Sequence, residues 1–333
     1  MKLSVVIIGR NEGERLVRCL DSVREMTPVE GGVEVIYVDS ASVDGSPARA
    51  AARGARVIPL PDGRPTAARG RNAGWRAASG EFVLFLDGDT ILDRDFVRRA
   101  FAGFSDPKVA VVWGHRREIR PQDSIYNRVL DLDWIYPPGL VEFCGGDALM
   151  RRAALAEVEG YDPELIAGEE PEMCRRIRAL GYTILHIDAP MTGHDMAMTS
   201  WRQYWKRALR AGHAYREVSE RFRGSGLPFW EDEVTRNTRR AAVLLAAAAG
   251  SAVLAIALRA WWPLLLGPAF YAMLAVRTAH KCRWKGGSLS TRLLYGLHSH
   301  FQQIPILVGQ LQYRSDRKAG RNRGLIEYKG AGS

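Results

Sequence analysis

Phe82-Val83-Leu84-Phe85-Leu86-Asp87-Gly88-Asp89-Thr90 is a run of five apolar residues that ends in two carboxylates bracketing a glycine. The run is too short for a helix and apolar at every position, which is the pattern of a strand covered on both faces of a parallel sheet. Gly88 lets a ligand approach the backbone, and aspartates on either side of it can share a divalent cation with a substrate diphosphate. Taken alone, the same three residues read better as a solvated turn at a strand end. Their meaning depends on what surrounds them.

Upstream, Ser4–Ile8 and Val33–Val38 read as strands. Helix-like stretches lie between and after them, Glu14–Met26 with Leu16, Val17, Leu20 and Val23 on one face, and the Ala-rich Ala67–Ser79. Strands alternating with helices predict an α/β domain with a parallel sheet and helices on both faces. Ligands of such a sheet lie beyond the carboxyl ends of its strands. Met1–Ile8 is too short for a signal-peptide core and runs straight into Arg10, Asn11 and Glu12, so it is expected to be a first strand. From Asp123 to Asp195 the reading is mixed, with a helix at Glu172–Leu180 and a strand at Tyr182–Ile187, as in the acceptor-side half of the same domain.

The 333 residues are 47% hydrophobic and 25% charged, which argues against disorder, fibrous repeats and a polytopic membrane protein. Cys19, Cys144, Cys174 and Cys282 have neither disulfide-framework nor zinc-ligand spacing, and a reducing cytosol is the simplest home. The net charge of +10 calls for an anionic partner, and position decides which. Ala241–Leu258 and Ala260–Val276 carry no charge and are separated by Arg259, so each approaches the ~20 residues of a bilayer span. Arg236, Arg239 and Arg240 precede the pair, and Arg277, Lys281, Arg283 and Lys285 follow it, so a transmembrane hairpin with both ends cytoplasmic is expected, its alternative a buried helical hairpin. Trp261, Trp262, Tyr271 and Trp284 suit an interface. Leu289–Tyr313 reads as an amphipathic interfacial helix broken near Pro305, followed by Arg314, Arg317, Lys318, Arg321 and Arg323. Membrane lipids, not nucleic acid, then account for the basic charge. The expected organisation is a domain over 1–235, a hairpin over 236–285, and an interfacial helix with a basic tail over 286–333.

Two other segments accompany the acidic turn. Val35–Ser46 is a second strand ending in an aspartate, where Asp39 can accept hydrogen bonds from a base or ribose, although Ser42 or Asp44 could simply cap the next helix. Ala68-Arg69-Gly70-Arg71-Asn72-Ala73-Gly74 sets guanidinium groups at a helix start, suited to phosphate or to a solvated basic face.

With these segments in order, residues 1–200 resemble the family 2 glycosyltransferases. Ser4–Asn11 with Glu12 is similar to that family's opening strand and loop, Val38–Ser46 to its Val-Asp-Asp-Gly-Ser segment, and Arg71–Gly74 through Ser79-Gly80-Glu81 to its Ala-Arg-Asn-x-Gly segment. Phe85–Asp89 is similar to its Asp-x-Asp strand, and Gly145-Gly146 through Arg151-Arg152 to its acceptor-side segment. Ile8-Gly9-Arg10 and Ser40-Ala41 depart from the pattern, and both departures bear on the identity of the base. The resemblance implies a GT-A (Rossmann-like) fold with a helical membrane-associated C-terminal region. It implies a nucleotide-sugar site of Gly9, Arg10, Glu12, Asp39 (base), Arg71 (diphosphate), Asp87 (near the ribose) and Gly146. Mg²⁺ or Mn²⁺ is implied on Asp89, with Asp87 beside it. His194 would complete the metal shell, unless it is structural.

Gly168-Glu169-Glu170-Pro171-Glu172-Met173 resembles the family's Gly-Glu-Asp-x-Asp-Leu segment, whose second acid is the base. That position is Glu170, with Glu169 beside it. Pro171 is expected at the first helical position, and the helix dipole is expected to lower the pKa of the base, unless the segment is simply an acidic first turn. Trp201–Arg207 loosely resembles the Gln-x-x-Arg-Trp element of processive synthases and reads either as a core stripe or as a cap on the acceptor.

The resemblance thus implies an inverting, metal-dependent glycosyltransferase of hexosyltransferase type. It would pass sugar from a nucleotide-diphosphate donor to a hydroxyl of a lipid-linked or polysaccharide acceptor, at the cytoplasmic side of the inner membrane. Transfer onto polyprenyl phosphate is the closest alternative and needs no general base. A non-catalytic nucleotide-sugar sensor or membrane scaffold is a reading of another class.

Overall fold

The apolar runs fold as their periodicity implies. A computed structural model describes residues 2–60 and 65–321. Strands β1 (Leu3–Gly9), β2 (Val33–Asp39), β3 (Arg56–Pro59) and β4 (Phe82–Asp87) pair in parallel in the order β3-β2-β1-β4. β1 is buried along six of its seven residues and β4 along five of its six, which is why neither shows polar alternation. Helices α1 (Glu14–Glu25), α2 (Ser46–Ala52) and α3 (Ala67–Ala77) make the connections. α3 lies close to the sheet, because a Cβ on Gly74 would stand 2.2 Å from Val6 Cγ1.

Beyond β4 the sheet ceases to be parallel, which corrects the sequence expectation. The chain continues through β5 (Thr90–Leu92), α4 (Phe96–Ala102), β6 (Val109–Glu118), α5 (Ile125–Asp133), β7 (Gly139–Val141) and β8 (Ala148–Arg151). α6 (Arg152–Glu157), α7 (Glu169–Ala179) and β9 (Thr183–His194) follow. β8 enters antiparallel to both β4 and β6, β6 and β9 run parallel, and β5 closes the edge antiparallel to β9. β9 runs seven residues past the expected end at Ile187, since β6 and β5 continue to supply hydrogen-bonding partners as far as His194.

The chain divides into two compact units, 2–120 with 134–197 and 121–133 with 198–321. One boundary of this division falls at 197/198. α8 (Trp201–Phe222) groups with the helices after it because it packs backbone to backbone on α12 (Gln303–Lys318). A Cβ on Gly309 would stand 2.1 Å from Leu209 O, and one on Gly212 would stand 2.0 Å from Ile306 O. α8 starts with a capping box between Ser200 and Gln203.

The second unit also holds α9 (Glu231–Ala257), α10 (Leu266–Lys281) and α11 (Leu289–Phe301). Among the described residues, α9 alone is long and apolar enough to cross a membrane, and only 17% of its apolar window is buried. The second apolar segment departs from the expected hairpin arm. Trp262–Leu265 is a 3₁₀ turn containing Pro263, and α10 has 16 residues, about 24 Å against a hydrocarbon thickness of about 30 Å. The interfacial helix breaks at Gln302, between α11 and α12, which leaves Pro305 in the first turn of α12, where a missing N–H costs little. Of the basic tail, Arg323 lies outside the described residues.

The glycine crossing gives a direct test. Gly309→Ala should lower stability by about 1–3 kcal/mol through overpacking against a carbonyl. Gly250→Ala, on α9 with nothing within 4 Å of the new methyl, should be neutral or stabilising by up to about 1 kcal/mol. Thermal melts of the full chain in detergent check both.

Candidate active site

Three strands of the parallel half end side by side, because the register sets Gly9 opposite Asp39 and Ile8 opposite Asp87. The loops that follow are stitched together. Asn11 Oδ1 accepts from Val43 N at 2.8 Å, while Asn11 N donates to Ser42 Oγ at 2.8 Å. Asn11 and Ala41 both adopt positive φ to make this turn. Asp39 is buried and fixed by Tyr37 Oη (2.9 Å) and by the Ser42 amide (2.9 Å). Glu12 pairs with Arg15 at 3.0 Å and closes over Gly88, where a Cβ would meet Glu12 Cγ at 3.1 Å. Arg10 is exposed at the mouth of this cradle.

Arg71, on α3, is the centre of the site. Its guanidinium is 2% exposed and meets three carboxylates: Asp87 Oδ1 at 3.0 Å, Glu169 Oε1 at 3.0 Å and Glu170 Oε1 at 2.9 Å. Burial opposes its charge, but the three carboxylates outweigh burial and hold it protonated. Its guanidinium carbon also lies 5.6 Å from the centroid of the Tyr161 ring. Gly146 is required here, since a Cβ would come within 2.5 Å of Arg71 Nη2 and 3.1 Å of Asp87 Oδ2.

Glu169 and Glu170 enter from the first turn of α7, which begins at Glu169 after Gly168 turns the chain at φ 82°. Pro171 is therefore the third helical residue, not the first, a position equally tolerant because first-turn amides have no intrahelical acceptor. The pKa of Glu170 also corrects the expectation. It is pushed up to about 7, by burial first and by the neighbouring Glu169 second, against the lowering pull of Arg71. The helix dipole, worth ~0.3–1 kcal/mol at an exposed site, is outweighed in this desolvated cluster.

The two aspartates of the acidic turn have different partners. Asp87 turns both oxygens to arginines, Oδ1 to Arg71 and Oδ2 to Arg116 Nη2 at 3.4 Å. Asp89 is buried beside His194, with Nε2 3.4 Å from Oδ2. The pairing of Thr90 and Glu118 with His194 in the sheet brings these groups together, and His194 Nδ1 is 4.0 Å from Glu118 Oε2. Among the described residues no group of three or more His, Cys, Asp or Glu forms a ready metal cage. The Asp89–His194 pair nonetheless fits a divalent cation. Its 3.4 Å separation exceeds an ordinary hydrogen bond and is near the ~3 Å between adjacent ligands of an octahedral ion with ~2.1 Å bonds.

Sequence reasoning missed several groups. Asp147 is fully buried, accepts from the Asp87 amide at 3.0 Å and from Thr192 Oγ1 at 2.8 Å, and burial raises its pKa. Arg116 lies 3.7 Å from Asp147 and stacks 5.0 Å from the Trp134 ring, which itself packs edge-on to His194. Asn72 is a scaffold, bridging the Tyr161 backbone through its amide nitrogen (2.6 Å) and its oxygen (2.9 Å). The signal for Asp147 was its place directly after Gly145-Gly146. Arg116 and Glu118 belong to the polar end, His115–Glu118, of the otherwise apolar β6.

Comparison with known proteins identifies the family. The profile described as Glycosyl transferase family 2 matches residues 4–158, and Glycosyl transferase family group 2 matches 82–295. The pre-mycofactocin glycosyltransferase of Mycobacterium tuberculosis is 27% identical over 208 residues, 58% of this chain and 42% of that protein. Glycosyltransferase AglE of Haloferax volcanii is 31% identical over 194 residues, 55% of this chain and 63% of its own length. The chain thus spans about half the length of these relatives. A mannosyltransferase from Pyrobaculum calidifontis, solved with GDP-Man and Mn²⁺, superposes with a TM-score of 0.60 at 18% identity, covering 95% of this chain and 87% of that one. It shares the fold. On the residues matched and the crevice they build, the chain belongs to the family 2 glycosyltransferases, with a GT-A domain.

Proposed function

We propose that this glycosyltransferase transfers sugar with inversion, from a nucleotide-diphosphate donor to a hydroxyl of a lipid-linked or saccharide acceptor at the cytoplasmic face of the inner membrane. The observation that carries the reading is the Glu170 carboxylate, 16% exposed and with its pKa pushed up to about 7, at the strand-end crevice beside Arg71 and Asp87. A base poised near neutral pH accepts a hydroxyl proton with useful driving force while remaining substantially ionised. Attack from the face opposite the leaving group, in one displacement, inverts the anomeric carbon. Asp39 and the Asn11–Val43 stitch would hold the nucleoside end of the donor. Asp87, pinned by two arginines, would set the ribose side of the pocket. Asp89 and His194 would hold Mg²⁺ or Mn²⁺, which when bound neutralises charge on the departing diphosphate. Attachment to a membrane is supported by the exposed apolar surface of α9. Recovery of the full chain in the soluble fraction without detergent would count against that attachment.

The test is nucleotide release from UDP-, GDP- and dTDP-sugars by detergent-purified protein, with Mn²⁺ or EDTA. Glu170→Gln should lower kcat by about 10²–10⁴-fold. In the wild type, kcat/KM should rise with pH through about 7, because the base must lose its proton, and the limb should vanish in the variant. Release surviving Glu170→Gln would point instead to a phosphate acceptor, and donor binding without release to a sensor. Asp89→Ala should leave release insensitive to EDTA at a residual rate, and a full metal response in that variant would remove Asp89 from the metal site.

A further inference from the structure

The second unit contains a cavity of about 230 Å³ between α8, α9 and α12, at the foot of the apolar stretch of α9. Arg216, Arg239 and Arg314 line it from three different helices, together with Thr238 and Gln310, and none of its lining residues is a carboxylate. The nearby acids are already engaged. Glu220 accepts from Arg216 Nε at 2.6 Å and also pairs with Arg317, Glu217 pairs with Arg221 at 2.9 Å, and Glu233 pairs with Arg236. Gln310 is 3% exposed. Its Oε1 lies 2.8 Å from Thr238 Oγ1, whose single hydroxyl proton is shared with Val234 O at 2.8 Å, and its Nε2 is buried with no hydrogen-bond partner.

A buried amide donor left unsatisfied costs about 1–3 kcal/mol, and gathering three guanidinium groups around one cavity adds repulsion. An anion with several acceptor oxygens would relieve both. The cavity lies just before the uncharged run that starts at Ala241, so such an anion would sit at headgroup depth if α9 enters a bilayer. We propose that this cavity binds the phosphate group of a net-anionic membrane lipid, with Gln310 Nε2 and the guanidinium groups of Arg216, Arg239 and Arg314 as donors. The inference rests on the membrane attachment proposed above, and it makes the second unit a reader of lipid charge as well as an anchor.

Two measurements on the full chain separate the two ideas. Flotation with neutral phosphatidylcholine vesicles reads attachment alone, and failure to float overturns attachment without touching the cavity. Calorimetric titration of the detergent-solubilised protein with dioctanoyl phosphatidylglycerol, dioctanoyl phosphatidylcholine and inorganic phosphate reads the cavity. About tenfold tighter binding of the anionic lipid than of the zwitterionic one is expected, on the scale set by the attraction of arginines to an anionic surface. Gln310→Leu, which leaves the charge unchanged, and Arg239→Gln/Arg314→Gln should each bring that preference to within about twofold, while Arg277→Gln/Arg283→Gln should keep it. A preference that persists in the cavity variants, or falls equally in the control, overturns the site in favour of diffuse charge. Inorganic phosphate that binds as tightly as the anionic lipid overturns the lipid as its occupant. Donor turnover in detergent, which the cavity does not serve, reports that each variant is folded.

Discussion

A single buried guanidinium ties the end of β4 to the start of α7, where the proposed base stands. Arg71 reaches from α3 to the end of β4 through Asp87 and to the start of α7 through Glu169 and Glu170. Taking four charged groups out of water is costly, and the arrangement persists because the guanidinium fork can satisfy several carboxylates at once in fixed geometry. Burial first, and the excess of negative charge left by one cation facing three anions second, let a proton reside on Glu170 near neutral pH. The same constraint explains Gly146, since any side chain there would push the guanidinium out of the fork. A lysine could supply the charge and three donors, but from one nitrogen and not from the two ends of a planar fork.

The acidic turn divides its labour through the strands next to it. Asp87 ends β4 within reach of Arg71 and Arg116, so its carboxylate is held by cations and serves as a fixed wall. Asp89 sits two residues later, where β5 pairs with β9 and brings His194 alongside. This carboxylate and imidazole are the pair to which the proposed function assigns a divalent cation. Asp87, expected beside the metal, meets two arginines in this arrangement.

Much of this was legible in the sequence where the pattern is local. Apolar runs such as Ser4–Ile8 and Phe82–Leu86 announce buried strands, and Gly168 before two glutamates announces a helix start. Where the answer depended on distant partners, the sequence was silent. The antiparallel entry of β8 follows from packing that four residues do not encode, and the extension of β9 to His194 depends on β6 and β5 offering edges to pair with. The direction of the Glu170 shift differs from the expectation because a helix start is visible in sequence whereas the burial of Arg71, Glu169 and Glu170 together is not. Asp147 and Arg116 were missed for the same reason, being ordinary residues until β8 and β6 bring them to the end of β4.

The helical unit presents the opposite problem, since its energetics depend on what surrounds it. Inside it, helices approach through Gly212, Gly296 and Gly309 so closely that backbone meets backbone: a Cβ on Gly296 would lie 2.2 Å from Ala275 O. Such crossings depend on close packing more than on the burial of large side chains, as is common between helices in lipid. Meanwhile α9 leaves Val253 65% exposed and Ile256 77% exposed. In water that surface is a liability, because large exposed apolar patches promote association. In a bilayer the same surface is satisfied, and the arginines at its foot lie where anionic headgroups collect. An exposed apolar helix and a buried, unpartnered Gln310 amide each have an independent cost in water, and the membrane surface proposed above would remove both.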